Sequence, residues 1–167
     1  MNALDKFYDI QNFIFDVDGV LADLLMHVLE NGAVTRRFNA RDAFAIEYAL
    51  SKNKRIVVIT RGTSGGFIER LRYLGVKEVH SGTKDKATLI QWLSKTEGLD
   101  LGKTLYMGDD VPDYEAMRHV HLPCCPADAT REILSISQYV SPYTGGNGCV
   151  RDVIEKVLTL QGLWFKF

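Results

Sequence analysis

The stretch NFIFDVDGVLAD, residues 12–23, leads an apolar segment directly into two carboxylates. Phe13–Val17 has the short, continuous apolar character of a buried strand, and Asp16 and Asp18 stand at its end. A carboxylate beside a hydrophobic core is costly unless it is paired or bound to a cation. The stretch therefore predicts either a strand that ends at a metal site or an ordinary turn, since Asp and Gly also favour turns.

Short apolar runs alternate with helical patterns along the rest of the chain. Strands are predicted at Phe13–Val17, Arg55–Thr60, Val76–His80, Thr104–Gly108, His121–Cys124 and Tyr139–Val140. Helices are predicted at Asp42–Lys52, Gly66–Leu74, Lys86–Thr96, Asp113–Arg118 and Val150–Gln161. Strands that alternate with helices at this spacing predict an α/β fold, in which a central parallel sheet is flanked by helices on both faces.

One segment, LLMHVLENGAVTRRFN at residues 24–39, interrupts this alternation. Two strand-like runs flank Asn31-Gly32, which is a strong local signal for a β-hairpin. We expect a protruding hairpin at about residues 24–38. The chain shows neither an internal repeat nor a low-complexity linker, so a single domain is predicted over residues 1–167.

The composition is ordinary for a globular protein, with 46% hydrophobic and 25% charged residues. A formal net charge of −1 gives no reason to expect nucleic acid or an anionic membrane as a partner. No apolar run approaches the ~20 residues of a membrane span, and the first residues carry acids where a signal peptide carries bases. The three cysteines form no paired pattern and indicate reduced thiols. These features predict a cytoplasmic protein.

Several polar residues are predicted at the carboxyl ends of the strands, where ligands bind in open parallel sheets. Asp16 and Asp18 follow the first strand, Thr60 ends the second, and Asp109 follows a later strand. Lys86 opens the helix that precedes this later strand. We therefore expect all five side chains in one crevice.

Carboxylates, a cation and a hydroxyl in one crevice suit phosphoryl transfer. Oxygen ligands from two loops can hold Mg²⁺. Asp16 would attack phosphorus and form an aspartyl-phosphate. Asp18 would give a proton to the leaving oxygen and would then activate water. Thr60 and Lys86 would neutralise the non-bridging oxygens of the phosphoryl group.

Four motifs resemble those of the haloacid dehalogenase superfamily of phosphatases: DVDGVL after the first strand, Thr60 after the second, a lysine at a helix start, and GDDVPD. More narrowly, the chain is similar to the 3-deoxy-D-manno-octulosonate 8-phosphate (KDO 8-phosphate) phosphatase family. That similarity rests on FNARDAFAI (38–46), YMGDDVPDYEAMR (106–118), LPCCPADA (122–129) and GGNGCVRDVIEKVL (145–158). Lys84 competes with Lys86 for the helix-start role, and Lys86 is preferred because Asp85 is a natural N-cap.

The resemblance implies the Rossmann-like haloacid dehalogenase fold and a Mg²⁺-dependent phosphoric monoester hydrolase. The implied reaction converts KDO 8-phosphate to KDO and phosphate through the aspartyl-phosphate, in lipopolysaccharide precursor synthesis. The implied Mg²⁺ ligands are Asp16, the backbone carbonyl of Asp18, and Asp109. The implied substrate contacts are Asn39, Arg41, Asp42, Ala43, Arg61, Arg70 and Lys86.

No cap domain, the usual cover of such active sites, fits into this chain. Only 41 residues separate Asp18 from Thr60, and 25 separate Thr60 from Lys86. The apolar hairpin would also expose its edge unless it pairs with another chain. The resemblance implies a homotetramer that answers both problems. Its active sites lie at subunit interfaces, where a neighbour supplies Arg70 and the C-terminal tail.

Two alternatives remain beside a KDO 8-phosphate phosphatase. The first is the sister activity on nine-carbon, sialic-type 9-phosphates, whose group has Glu and Lys where this chain has Gly62 and Tyr73. The second is a non-catalytic oligomerisation module, which would need none of the catalytic residues. The family usually places Gly before Arg after the second strand, whereas this chain reads Thr60-Arg61-Gly62, a change that removes no catalytic group.

Overall fold

The computed structural model describes residues 3–63 and 65–165, with side chains from residue 5 onward. Its strands are β1 (Asn12–Phe15), β2 (His27–Val28), β3 (Val34–Thr35), β4 (Arg55–Ile59), β5 (Glu78–His80), β6 (Thr104–Met107), β7 (Leu122–Cys125) and β8 (Tyr139–Val140). Its helices are α1 (Ala3–Tyr8), α2 (Ala40–Ser51), α3 (Gly65–Tyr73), α4 (Lys86–Thr96), α5 (Tyr114–Met117), α6 (Arg131–Ile136) and α7 (Cys149–Leu160). Two short 3-10 turns, Leu101–Lys103 and Val111–Asp113, precede β6 and α5.

Six parallel strands form the central sheet, in the order β5-β4-β1-β6-β7-β8. β1 is buried along its length and pairs with β4 on one side and β6 on the other, so that Phe13 lies opposite both Ile56 and Leu105. The chain proceeds from β1 to β4 and β5, and then returns to the other side of β1 at β6. Open α/β sheets bind their ligands at such a reversal of strand order. The predicted α/β fold is confirmed.

Alternate residues of β1 point into two hydrophobic cores, because successive side chains of a strand face opposite sides of the sheet. Phe13 and Phe15 join the core beneath α2, α3 and α7, which includes Ile46. Ile14 joins a second core beneath α4, α5 and α6, which includes Ile90. Helices on both faces explain why β1 is a continuous apolar run rather than an alternating one.

β2 and β3 form the hairpin as a separate antiparallel pair. Gly32 occupies its turn with φ +81°, and the side-chain oxygen of Asn31 accepts a hydrogen bond from the backbone N–H of Ala33 at 3.0 Å. Only two residues of each arm are paired. Apolar side chains of the hairpin remain in solvent, with Leu25 75% and Val28 73% exposed. The hairpin therefore presents an apolar surface that the described part of the chain does not cover.

Two helices, α1 and α6, lie outside the predicted set, because six residues are too few for a helical period to stand out in the sequence. Strands β1, β4 and β6 end one or two residues earlier than predicted, since the polar site residues follow them in loops. No helix within residues 3–63 and 65–165 is long and apolar enough to cross a bilayer.

The last described residues pack on the outer face of α2. Trp164 and Phe165 place their ring centroids 5.1 and 4.5 Å from that of Tyr48. The Tyr48 hydroxyl donates to the carbonyl of Leu163 at 3.2 Å. This part of the C-terminal tail contacts its own chain, and residues 166–167 lie outside the described residues.

Candidate active site

Three site residues follow the three central strands of the sheet. Asp16 comes directly after β1, Thr60 directly after β4, and Asp109 two residues after β6. All three side chains are buried. Because β1 lies between β4 and β6, the carboxyl ends of these strands are neighbours, and the predicted crevice forms at this edge of the sheet.

Lys86 enters this crevice from the first turn of α4. Asp85 caps the helix by accepting a hydrogen bond from the backbone N–H of Thr88 at 3.0 Å, which fixes where the helix begins. The Lys86 amine lies 2.9 Å from Asp16 Oδ1, and Lys86 is buried, whereas Lys84 is exposed. Burial acts to lower the pKa of Lys86, but the neighbouring carboxylates outweigh it and raise the pKa.

Asp113, like Asp110, is a residue of the GDDVPD motif whose role the sequence leaves open. Its fully buried carboxylate accepts hydrogen bonds from the Lys86 amine and from the Tyr106 hydroxyl, both at 2.7 Å to Oδ1. Its second oxygen is buried and has no hydrogen-bond partner among the described residues. The GDDVPD motif is the sequence feature that could have identified Asp113 as a site residue. The 3-10 turn after Asp110 ends at Asp113, the last aspartate of the motif, and places it in contact with Lys86.

Asp16, Asp109 and Asp113 form an acidic cluster in which one carboxylate oxygen of each lies within 4.8 Å of the others. Burial, together with the charge of Asp113, raises the pKa of Asp16 to about 7, although Lys86 acts in the opposite sense. Burial and the charges of Asp16 and Asp113 likewise raise the pKa of Asp109 to about 8. The cluster thus holds more negative charge than Lys86 balances. Its hard oxygen donors and the unpaired Asp113 oxygen fit a Mg²⁺ ion.

Gly19 allows the loop after β1 to approach Asp109. Its φ of +86° is a conformation that favours glycine, and a Cβ at this position would lie 2.1 Å from Asp109 Oδ2. The loop is closed by hydrogen bonds from Gly19 N to the Ala22 carbonyl at 2.9 Å and from Ala22 N to the Val17 carbonyl at 2.8 Å. The DVDGVL motif therefore packs its backbone directly against the acidic cluster.

The Asp18 side chain faces away from this cluster, toward the hairpin. Arg36, which directly follows β3, donates from Nη2 to Asp18 Oδ2 at 3.1 Å and from Nε to Asp18 Oδ1. Thr60 Oγ1 accepts a hydrogen bond from the backbone N–H of Gly62 at 3.1 Å. The contact between Asp18 and Arg36 was not predicted, because the sequence does not show which way the hairpin folds back.

The predicted substrate residues at the start of α2 have two different environments. Asn39 caps α2 by accepting a hydrogen bond from Arg41 N at 2.8 Å, and both line an open groove of about 1130 Å³ between α2 and α7. Asp42 is fully buried and accepts from Arg151 N at 2.7 Å, and burial raises its pKa to about 6. Ala43 is buried as well. The structure thus places Asp42 at the junction of α2 with α7, not at the acidic cluster.

The two remaining predicted residues lie on the other side of the crevice. Arg61 is exposed in the loop after β4. Arg70 lies on α3 with its guanidinium 5.1 Å from the ring centroid of Tyr73. It lines a groove of about 400 Å³ between β3 and α3. The structure therefore brings Asp16, Thr60, Lys86 and Asp109 together and leaves the arginines at the periphery.

Buried carboxylates after β1 and β6, with a lysine between them, are typical of hydrolases of the haloacid dehalogenase type. Residues 72–153 match the family model of haloacid dehalogenase-like hydrolases. The chain is 32% identical over 161 residues to the 3-deoxy-D-manno-octulosonate 8-phosphate phosphatase KdsC of Salmonella typhi, covering 96% of this chain and 86% of that protein. The chain belongs to the KDO 8-phosphate phosphatase family of this superfamily.

Solved structures of this family have the same fold. The crystal structure of the Yersinia pestis 3-deoxy-D-manno-octulosonate 8-phosphate phosphatase superposes with a TM-score of 0.92 at 29% identity, covering 96% of this chain and 87% of that one. The Moraxella catarrhalis phosphatase superposes with a TM-score of 0.91 at 30% identity, covering 96% and 92% of the two chains. That structure holds a magnesium ion, a phosphate ion and KDO.

Proposed function

We propose that the chain is a Mg²⁺-dependent phosphatase that hydrolyses 3-deoxy-D-manno-octulosonate 8-phosphate to KDO and phosphate. The observation that carries the proposal is the buried cluster of Asp16, Asp109 and Asp113 with Lys86, because it combines a nucleophile, a cation and a set of magnesium ligands. Similarity to phosphatases of this substrate over 96% of the chain supports the choice of substrate.

The side chains divide the reaction into two steps. In the first step an oxygen of Asp16 attacks phosphorus, the bond from phosphorus to the sugar oxygen breaks, and Asp18 gives that oxygen a proton. In the second step Asp18 takes a proton from water, whose oxygen displaces Asp16 from phosphorus and releases phosphate. Lys86 holds Asp16 in place at 2.9 Å, and Thr60 donates to a phosphoryl oxygen.

Asp16, the backbone carbonyl of Asp18, and Asp109 would hold the Mg²⁺, and Asp113 offers a further oxygen in the same cluster. When bound, the ion supplies positive charge against the phosphoryl oxygens. Lys86 also neutralises part of the charge on Asp113, and the negative charge that remains in the cluster would attract the ion.

A homotetramer with active sites at subunit interfaces is part of the proposal. The exposed apolar residues of the hairpin support it, because contiguous apolar surface marks protein contacts. Between β1 and β4 the described chain forms only the hairpin and α2, and between β4 and α4 only α3 and β5, so a neighbouring subunit has space to close the crevice. We place the reaction in the cytoplasm, in lipopolysaccharide precursor synthesis, in agreement with cysteines that are free throughout the described chain.

A panel of phosphate esters tests the substrate. Purified protein with Mg²⁺ should release phosphate from KDO 8-phosphate with a higher kcat/KM than from a nonulosonate 9-phosphate, a hexose 6-phosphate or an aryl phosphate. A preference for the 9-phosphate would replace the proposed substrate by the sister activity. Phosphate release from none of these esters would instead favour an oligomerisation module.

Arg70 tests the shared active site. If its guanidinium reaches a neighbour's crevice and binds the sugar-acid carboxylate, Arg70→Ala should raise KM about tenfold or more and leave slow aryl phosphate hydrolysis nearly unchanged. Mixed oligomers of Arg70→Ala and Asp16→Asn chains should then regain activity, because one interface pairs an intact nucleophile with an intact arginine.

Arg72→Ala is the matched control, since Arg72 lies on the same helix and is paired with Glu69 at 3.0 Å. It should leave KM unchanged. Oligomers that are shown by mass to be mixed and still lack activity would contradict a contribution of Arg70 from the neighbouring subunit.

A further inference from the structure

Arg36 brings a buried cation from the hairpin to the crevice. Its guanidinium donates to both oxygens of Asp18, and its side chain is only 8% exposed. A guanidinium that contacts a carboxylate through two N–H groups makes a strong and directional interaction. The contact is therefore a defined part of the site rather than a surface ion pair.

The Arg36 guanidinium lies beside the loop that follows β4. A Cβ at Gly62 would lie 3.2 Å from Arg36 Nη2, 3.5 Å from Thr60 Oγ1 and 3.6 Å from Asp18 Oδ2. These three polar groups therefore lie around Gly62, where a larger residue would crowd the Arg36 guanidinium. The Arg36 side chain also lines a small cavity with Val17 and Thr60.

The two buried cations of the crevice face different parts of the reaction. Lys86 is held by Asp16 and Asp113, on the side of the nucleophile. Arg36 is held by Asp18, which the proposed mechanism places beside the leaving oxygen. The part of the substrate that lies beyond the scissile bond therefore meets Arg36 first.

We infer that Arg36 is a specificity-determining residue that recognises an anionic group on the leaving part of the substrate. Both Asp18 oxygens face Arg36, so a leaving-group oxygen reaches Asp18 when the guanidinium exchanges one of these contacts for an oxygen of the substrate. The planar fork of an arginine is well shaped for a carboxylate. The inference rests on the proposed function, because a sugar-acid phosphate carries such a carboxylate.

The same carboxylate has acceptor sites for more than one arginine. A contact with Arg36 of its own chain is thus compatible with a second contact from Arg70 of a neighbouring subunit. Arg36 differs from Arg70 because it is already buried in the crevice within one chain.

The test compares KDO 8-phosphate with its C1 carboxamide, which keeps the size and the phosphate but lacks the charge. The measured quantity is kcat/KM for the acid divided by kcat/KM for the amide. In Arg36→Ala this ratio should fall tenfold to a hundredfold, because about one hydrogen-bonded contact with a charged group is lost. The change should come mainly from a higher KM for the acid. Arg36→Lys should retain part of the ratio. Arg37→Ala is the matched control, because Arg37 is the next residue of the hairpin and pairs with Asp23 but is 70% exposed. It should leave the ratio unchanged.

Inhibition of aryl phosphate hydrolysis by free KDO and by its amide gives a second readout that needs no turnover of either ester. Arg36→Ala should weaken inhibition by KDO and leave inhibition by inorganic phosphate unchanged. The inference would be overturned if Arg36→Ala lowered kcat/KM equally for the acid and the amide. It would also be overturned if the wild-type protein showed the same kcat/KM for both esters and the same inhibition by KDO and its amide. If KDO 8-phosphate is not the substrate, the wild-type protein will not prefer it in the panel of phosphate esters. The inhibition assay tests Arg36 independently of that result, because it needs only aryl phosphate hydrolysis.

Discussion

Asp16→Asn should abolish phosphate release, by about 10⁴-fold or more, and leave the fold intact. The amide has nearly the shape of the carboxylate but cannot form the acyl-phosphate bond. The fold should tolerate the change because burial raises the pKa of Asp16 to about 7, so its charged form is disfavoured in the folded state. Phosphate release and thermal unfolding, measured on the same preparation, check both halves of the prediction.

The sign of the stability effect follows from the raised pKa. A carboxyl group whose folded pKa exceeds its unfolded value contributes stability at low pH that is lost as the pH rises through the folded value. Without metal, Asp16→Asn should therefore unfold at a temperature equal to or above that of the wild type at pH 8. Asp9→Asn, which removes an exposed carboxylate, should change neither quantity. Substantial turnover by Asp16→Asn would exclude a covalent mechanism through this residue.

Chelation of divalent ions should stop activity, and Mg²⁺ should restore it. Ca²⁺ should be a poor substitute, because its larger and looser coordination shell misplaces the phosphoryl group. A readout without turnover is the rise in Tm on adding Mg²⁺, which should be larger at pH 8.5 than at pH 6. The raised pKa values of Asp16 and Asp109 mean that both lose protons over this range, and the ion then relieves their repulsion.

Gly19→Ala tests the predicted magnesium site by a change in structure rather than by removal of the ion. The added methyl group would displace the Asp109 carboxylate, so both the Mg²⁺-induced rise in Tm and the activity should be lost. Gly98→Ala is the matched control: its φ is +65°, and nothing lies within 4 Å of the added atom. It should lower stability by ~1–2 kcal/mol through backbone strain and leave the response to Mg²⁺ unchanged. Full activity in chelator would contradict a magnesium site at this cluster.

The sequence was sufficient for the features that depend on local pattern. The apolar run before Asp16 predicts β1, and Asp85 correctly places Lys86, not Lys84, at the start of α4 beside Asp16. In contrast, the contacts of Asp113 with Lys86 and of Arg36 with Asp18 depend on the tertiary arrangement of segments that are distant in sequence. Asp113 reaches the cluster through a single 3-10 turn, and Arg36 through a hairpin whose direction no residue type encodes.

Asp42 illustrates the opposite difficulty. Its position in FNARDAFAI suggests a contact with substrate, but tertiary packing buries it and gives it the backbone N–H of Arg151 as a partner. A motif records that a residue type is required at a position. The motif does not distinguish a carboxylate that binds a ligand from one that forms a hydrogen bond between two helices, because both require a carboxylate with fixed geometry.

The chain of ion pairs from Asp16 through Lys86 to Asp113 joins three segments that are far apart in sequence. Lys86 lies 70 positions after Asp16, and Asp113 lies 27 positions after Lys86. Contacts between such distant positions form slowly, because the intervening chain must lose conformational entropy before they stabilise anything. Catalytic competence should therefore appear late in refolding, after helix content is complete, when the strands on both sides of β1 have joined the sheet.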